Sequence, residues 1–547
     1  MPYNLLVERW IPVRRRSGSI DWIAPHQIAE RDDPPIAIAS PRPDFDGALI
    51  QFLIGLVQTT AAPKDERAWK KRYETPHDPD ELRGLFATVE PAFNLDGDGP
   101  RFMQDLTLAG ESHQVWDIAD LLIGTPGENT IKNNFDLFEK RGRVSALSYE
   151  ASAMALLTMQ LNSPEGGGGA AGGHNVSIRG GGPLTTLAVG SDLYETTWLN
   201  VIEKDIFESK YGNGSRQEPG AVFPWQGNTR SSDKALGGVP TTPEDVHPLH
   251  QFWAMPRRIR LVIEADRLGN CDITGRRDLP VVSTCVTTHS GFKYSVGFRH
   301  PLSPYRREKG KEEWRAIRGH SASVAYSSWP TNVLPGSDTA PARAISRALS
   351  RMPGVPRRVS LAAFGFETKQ EKVRSWHQCV TPLVGVETEL QDAFRSVLEG
   401  FVAASENVRK TLFGKIKEAL ARRPQDLPGD LGATVNAAFW AATEPAFFAA
   451  VIAVRDALGA GPPPPAIAEQ WLAALHAAAK ELFETYSQMR GEFSATEVRR
   501  VATAWNELVR YTSPGSFKLR EAVGLAPRET VTPGKKRARK VNKEVTT

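Results

Sequence analysis

The sequence predicts an α+β protein. A large mixed α/β N-terminal domain is expected over residues 1–380, an all-α four-helix bundle over 381–525, and a basic, disordered tail over 526–547. Three observations predict this. The 547 residues exceed what one hydrophobic core organises, roughly 250–300 residues. From about residue 183 to 378, short strand-like runs are broken by prolines, glycines and tryptophans without a βαβ rhythm. Beyond residue 381, alanine, leucine, glutamate and arginine dominate, and apolar residues recur at helical spacing.

"LLVERWIPV" predicts a strand, with Pro12 at an edge or strand end because proline donates no ladder hydrogen bond. "DFDGALIQFLIGLVQTTAA" predicts a helix: Leu49, Phe52, Leu53, Leu56 and Val57 share a face, and Asp44 and Asp46 suit its start. "AFNLDGDGPRFMQDL" predicts a strand, a turn around Gly97, Gly99 and Pro100, and a return strand. Residues 124–143 predict a long loop, polar first and then basic at Lys140, Arg141 and Arg143. "SYEASAMALLTMQLN" predicts a helix that runs into "SPEGGGGAAGGHNVSIRGGGP" at 163–183, where nine residues are glycine. "PLTTLAVG", "RRIRLVIEA", "PVVSTCVTT", "FKYSVGF" and "RRVSLAAFGF" predict strands. "VSLAAFGF" and "EKVRSWHQCV" flank "ETKQ" as a hairpin with a polar tip. Bundle helices are expected over 387–412, 431–458, 465–490 and 495–511, the last opened by a capping box of Ser494 and Glu497.

Composition excludes several function classes. Hydrophobic content of 40% and charge of 24% are ordinary for a globular chain. No apolar run is expected to span a bilayer, which takes about 18 residues. Glu8 and Arg9 interrupt the N-terminal apolar stretch, so no signal peptide is read. Three cysteines, Cys271, Cys285 and Cys379, argue against structural disulfides and for the cytoplasm. The net charge of +4 leans weakly towards anionic partners, and the run 535–540 suits contact with nucleic acid.

Catalytic signatures are missing: no GxxxxGK[ST], HExxH, GxSxG, DFG or HRD set occurs. The glycine run lacks a Walker lysine, and its composition alone favours a flexible linker over a phosphate cradle. His247, His250, His289 and His300 lack neighbouring Cys or carboxylate ligands, which favours hydrogen-bonded loop histidines over a metal site. Cys271 and Cys285 have no CxxC partner. Cys379 beside His377 carries only a faint nucleophile pattern, so all three read as buried structural cysteines. The bundle has no Glu-x-x-His set for a di-iron centre. Neither cofactor nor metal is expected.

"YNLLVERWIPVRRRSGS", "LIGLVQTTAAPKDERAWKKR", "FNLDGDGPRFMQ", "IRGGGPLTTL", "FWAMPRRIRL" and "RHPLSPY" occur in an order that resembles the CasA family, the large subunits of type I-E CRISPR Cascade. The likeness spans nearly the whole chain. It implies an α+β domain followed by a four-helix bundle, and a subunit that is not an enzyme. It implies recognition of the PAM in double-stranded target DNA, stabilisation of the opened target, and recruitment of the Cas helicase-nuclease. The implied partners are the other Cascade subunits and the CRISPR guide RNA; no membrane is involved.

The resemblance also implies site residues. The family's glycine loop falls within 166–173, with Gly169, Gly172 and Gly173 as candidates. Its lysine finger maps to Lys293. Its glutamine wedge maps to Gln370, with Lys369 before it and Glu367 where members can carry a basic residue. Asn133, Asn134 and Phe135 resemble the loop that docks near the 5′ handle of the guide. Some members carry cysteine pairs near the position of Cys271, a candidate zinc site; this chain lacks them. The roles suit the residue types. Glycine lets a backbone carbonyl approach the guanine amino group of the minor groove, lysine donates to groove acceptors, and a hairpin tip wedges a duplex open. Two other classes stay open: a metal-dependent nuclease or hydrolase using the histidines, and a helical scaffold that binds only protein.

Overall fold

The computed structural model describes residues 2–108, 113–125, 142–164, 166–169, 172–210, 218–233, 237–264, 266–352, 354, 358–369, 372–421, 429–487 and 495–527. The chain divides into two compact units, Met1–Gln391 and Asp392–Thr547.

The first unit is built around two helices buried along almost their whole length, Pro43–Thr60 and Tyr149–Asn162, which pack on each other. The expected one-sided face of the first helix is a wrapped one instead. Two buried amides are tied down: the Gln51 Nε2 donates to the Gly47 carbonyl at 2.7 Å, while its Oε1 has no partner, and the Gln58 side chain exchanges hydrogen bonds with the backbone of Ile202 at 2.9 and 2.8 Å. Phe52 sits at the centre of edge-to-face contacts with Trp10, Phe93, Phe102 and Trp253, ring centroids 5.2–6.0 Å apart.

Among the described residues the strands form six small antiparallel sheets. Ile11–Arg15 lies centrally between Ile20–Ile23 and Pro35–Ile38. Pro12 is therefore not on an edge. It sits one residue past the last pair with the third strand, Val13 opposite Ile38, so its missing N–H faces no ladder partner. "PVVSTCVTT" splits at Ser283 into Leu279–Val282 and Thr284–Thr288, which join different sheets. "FKYSVGF" is not a strand; its only ladder contact is a bridge between Tyr294 and Thr241. "AFNLDGDGPRFMQDL" forms a short 3-10 turn, Glu90–Phe93, and then irregular turns; a single bridge of Asn94 with Asn4, flanked by backbone bonds from Leu5 to Phe93 and from Leu95 to Tyr3, is joined by side-chain bonds. The Asn4 amide donates to the Glu90 carbonyl at 2.9 Å and the Gln104 amide to the Leu95 carbonyl at 2.8 Å. The expected hairpin is present as Ser360–Lys369 paired with Lys372–Pro382, and Thr185–Val189 pairs along its other edge.

The second unit holds helices Gln391–Leu420, Leu431–Leu458, Pro465–Ser487 and Ala495–Thr512, followed by a short helix Phe517–Ala522. The first starts later than expected, because Thr388–Leu390 is a 3-10 turn, and it ends eight residues beyond 412. Phe401, Leu412, Phe447, Val451, Trp471, Phe483 and Leu508 fill the core. The Trp471 Nε1 donates to the Phe401 carbonyl at 3.2 Å. Ser494 of the expected capping box lies outside the described residues. Contrary to expectation, Leu431–Leu458 is long and apolar enough to cross a membrane by length and composition. Alanines spaced through a bundle helix produce that hydropathy, while Phe439, Phe447, Val451 and Val454 turn inward.

Candidate nucleic-acid interface

The helix Tyr149–Asn162 delivers the chain to the glycine segment, and two buried arginines hold the departure point. The Arg257 backbone N–H donates to the Gln160 Oε1 at 3.0 Å, and its guanidinium donates to the Ser163 Oγ at 3.3 Å and the Pro164 carbonyl at 2.5 Å. The Arg179 guanidinium donates to the Thr185 and Ser303 hydroxyls at 2.9 and 3.2 Å. Burial pushes both guanidinium pKa values down to about 10, so both stay charged at neutral pH. The Ser177 N–H donates to the Ser163 carbonyl at 3.2 Å and closes the loop at its base.

Between these anchors the glycines form a two-stranded ribbon rather than an open loop. Gly166–Gly169 pairs with Gly172–His174, Gly169 opposite Gly172. Gly169, Gly172 and Gly173 therefore lie at or next to its turn. His174 closes the ribbon against two rings: His289, at 4.3 Å between centroids, and Trp116, at 5.3 Å.

Lys293 is exposed on a segment tied directly to the ribbon. The Asn175 Nδ2 donates to the Gly291 carbonyl at 2.9 Å and to the Ser232 Oγ at 3.0 Å. Gly291 has no space for a side chain, since a Cβ there would stand 2.3 Å from the Pro256 carbonyl oxygen. Phe292 turns inward, and the Tyr294 hydroxyl is fixed by the His250 Nε2 at 2.7 Å and by the Met255 N–H at 3.0 Å. Lys293 between them points outward. The Lys293 carbonyl accepts from the Thr241 N–H at 2.7 Å.

The hairpin is reached by the same chain segment. After the ribbon, the glycine turn at 180–182 runs against it: a Cβ on Gly182 (φ +60°) would stand 2.6 Å from the Phe366 carbonyl oxygen and 3.0 Å from the Thr368 Cγ2. Thr185–Val189 then pairs along the hairpin, Thr185 opposite Phe364. The tip is narrower than expected. The strands run through Lys369 and resume at Lys372, so Glu367 and Thr368 belong to a strand, bulged between them, and not to the turn. Glu367 is engaged sideways, its Oε2 2.8 Å from the His377 Nε2, which also lies 2.8 Å from the Ser375 Oγ. Gln370, the Lys369 side chain, and Asn133, Asn134 and Phe135 lie outside the described residues.

Lys293, the ribbon and the hairpin are thus joined through residues 163–189, while Asn175, Gly291 and the rings of Trp116 and His174 carry no sequence signal that singled them out; His289, weighed as a metal ligand, packs on His174 instead. The metal alternatives fare differently. Among the described residues no three His, Cys, Asp or Glu side chains gather around a point that would hold a metal. His247 caps a 3-10 turn by accepting from the Leu249 N–H at 3.1 Å, and His250 is buried against Tyr294. Cys271 and Cys285 are buried as expected, whereas Cys379, opposite Ala363 in the hairpin, is half-buried. The candidate zinc site that cysteine pairs make in some members of the resembled family does not fit this chain. Around Cys271 the equivalent spacing offers Thr274, Ser145 and Ser148, whose neutral hydroxyls are not zinc ligands.

The family model for the CRISPR-associated protein Cse1 matches residues 4–482. Several solved structures share the fold. CasA (Cse1) of Thermus thermophilus is 19% identical, with a TM-score of 0.68 over 93% of this chain and 100% of that one. Cse1 of Thermobifida fusca is 15% identical, with a TM-score of 0.69 over 95% and 98%. A chain of a CRISPR RNA-guided surveillance complex is 16% identical, with a TM-score of 0.65 over 93% and 99%.

Proposed function

Because the chain belongs to the Cse1 family of CRISPR-associated proteins, we propose that it is the large, non-catalytic subunit of a type I-E Cascade surveillance complex in the cytoplasm, and that it senses the PAM of double-stranded target DNA from the minor groove. Backbone carbonyls at Gly169, Gly172 or Gly173 accept from the guanine amino group, which is the one donor that distinguishes G·C from A·T there. Lys293 donates to groove acceptors. Lys369 and Gln370 at the hairpin tip enter the duplex and start unwinding. Pairing with the guide RNA then reads the remaining sequence. Asn133, Asn134 and Phe135 approach the guide handle, residues 381–525 form the bundle domain, and the assembled complex recruits the Cas helicase-nuclease.

One observation carries this reading. A single stretch of chain roots the ribbon, is hydrogen-bonded to the Lys293 segment through Asn175, and runs along the hairpin. A glycine-rich ribbon, an outward lysine and a narrow polar tip are what minor-groove contact and strand separation need together.

Lys293→Ala and Gln370→Ala in the assembled complex are each expected to slow target opening by roughly tenfold, the scale of one lost groove contact. Strand separation reported by a fluorescent base pair next to the PAM measures it, and unchanged opening in both variants would sink the assignment. Gly169→Leu and Gly172→Leu are expected to weaken PAM-duplex binding while the far-UV spectrum stays that of the parent. Binding equal to the parent in both would make the ribbon a linker. A selection from a randomised PAM library, with each variant complex beside the parent, reports which base the ribbon reads.

A further inference from the structure

Two short turns meet at the start of the helix Tyr149–Asn162. One is S-A-L-S at 145–148, the other C-D-I-T-G at 271–275. Each places two polar ends three residues apart, the spacing that thiolate pairs use to grip zinc. The second turn also has the backbone of such a knuckle. The Thr274 N–H donates to the Cys271 Sγ at 3.5 Å, the Gly275 N–H donates to the Cys271 carbonyl at 2.9 Å, and Gly275 has φ +69°. The turns are joined without metal. The Asp272 Oδ2 accepts from the Ser145 N–H at 2.7 Å, the Ser145 Oγ at 3.0 Å and the Ala146 N–H at 3.0 Å. The Asp272 N–H returns a bond to the Ala146 carbonyl at 3.0 Å. Burial would push the Cys271 thiol up, yet hydrogen bonds from the backbone and hydroxyl of Ser148 and from Thr274 bring it below its ordinary value.

We propose that this turn pair is a metal-free lock, in which the Asp272 carboxylate and the Cys271 sulfur gather the donors of Ser145, Ala146, Ser148 and Thr274 at the point where four thiolates would hold a zinc ion. The lock has a task. Ser148 is also the N-cap of the helix Tyr149–Asn162, accepting from the Ala151 N–H at 3.4 Å. One turn on, Glu150 is held by the Arg276 guanidinium at 2.7 Å, which lies over the Trp22 ring. The far end of this helix, about 21 Å away at 1.5 Å per residue, launches the glycine ribbon. Asp272 is therefore a positioning residue for the ribbon's root, whether or not the ribbon meets DNA.

The test uses the full chain expressed with zinc in the medium. The parent is expected to hold far less than one zinc per chain by elemental analysis and to keep its melting temperature in a chelator. The triple variant S145C/S148C/T274C is expected to take up about one zinc per chain, and its cobalt form to show the visible absorption of tetrahedral thiolate ligation. Asp272→Ala is expected to lower the melting temperature by a few degrees. In the Asp272→Ala background the three cysteines are expected to restore it only when zinc is present. Stoichiometric zinc in the parent, a folded triple variant that takes no metal, or an Asp272→Ala chain as stable as the parent would each overturn the lock.

Discussion

Glu203→Gln is expected to cost the first unit about 3–5 kcal/mol, the usual penalty for stranding one partner of a buried ion pair. The Glu203 side chain is fully buried and holds two guanidiniums. Arg351 donates to its Oε1 and Oε2 at 2.9 and 2.8 Å, and Arg347 to the same two oxygens at 2.7 and 3.1 Å. Arg351 also lies over the Trp69 ring, 4.3 Å from its centroid, and donates to the Val201 carbonyl at 2.9 Å. Glutamine keeps the volume and loses the charge, so the fully buried Arg351 loses its carboxylate while Arg347 keeps Glu66 at 3.4 Å. The pH dependence follows in sign. Burial alone would raise the Glu203 carboxyl, but the hydrogen bonds of Arg351 and Arg347 hold it at about 2 against an ordinary 4.5. A depressed carboxylate contributes stability that is complete above pH 4.5 and lost as the pH falls towards 2, here roughly 3 kcal/mol. The advantage of the parent over Glu203→Gln should therefore be full at pH 7 and should shrink between pH 4.5 and 2. Thermal melts followed by the fluorescence of buried Trp69 and Trp198 measure it. Equal midpoints at pH 7 would show that the cluster contributes nothing. Replacing Glu203, Arg347 and Arg351 together by apolar residues of similar volume should recover most of the loss.

Elements with a sustained period were legible; those made by side chains acting as backbone partners were not. The bundle helices repeat their apolar residues over many turns, and the hairpin's two strand-like runs flank a polar tip. The irregular stretch around Asn94 has strand composition, but its long-range partners are the backbone of Tyr3 and Leu5 and the Asn4 side chain. No local pattern announces a partner 86 residues away. Of the two positions expected for Pro12, an edge or a strand end, it takes the second, because whether a proline breaks a ladder depends on register with the neighbouring strand. The candidate interface divides the same way. The glycine clusters, Lys293 and the hairpin tip were visible as residue types in order. The ties that unite them were not, because Asn175 to Gly291 and Gly182 to Phe366 are single long-range contacts. Glu203 likewise sits in the run "LNVIEKDIF", where nothing distinguishes it from the exposed Lys204 beside it.

Gly182→Val is expected to disturb the hairpin tip more than it disturbs the fold. Two effects add at this residue. Its φ of +60° costs a residue with a Cβ about 1–2 kcal/mol, more when the side chain is β-branched. The new Cβ would also stand 2.6 Å from the Phe366 carbonyl oxygen, a backbone atom that cannot rotate away. Ordinary contact needs about 3.4 Å or more, so the turn and the hairpin must separate by nearly an ångström. The tip follows four residues after Phe366, and Thr185–Val189, which follows the turn, is hydrogen-bonded to the same strand. Gly180 supplies the control. It too has a positive φ, +88°, but a Cβ there meets nothing within 4 Å. Gly180→Ala therefore measures backbone strain alone, and Gly182→Ala measures strain plus displacement. If the tip opens the target, Gly182→Ala and Gly182→Val should slow strand separation in the assembled complex by tenfold or more, while Gly180→Ala changes stability by about 1 kcal/mol and leaves opening near the parent's. Trp376, stacked against Phe364 and edge-on to Phe366, reports the shift independently through its emission. Equal opening rates for the Gly180 and Gly182 variants would mean that the glycine turn serves the fold and does not aim the hairpin.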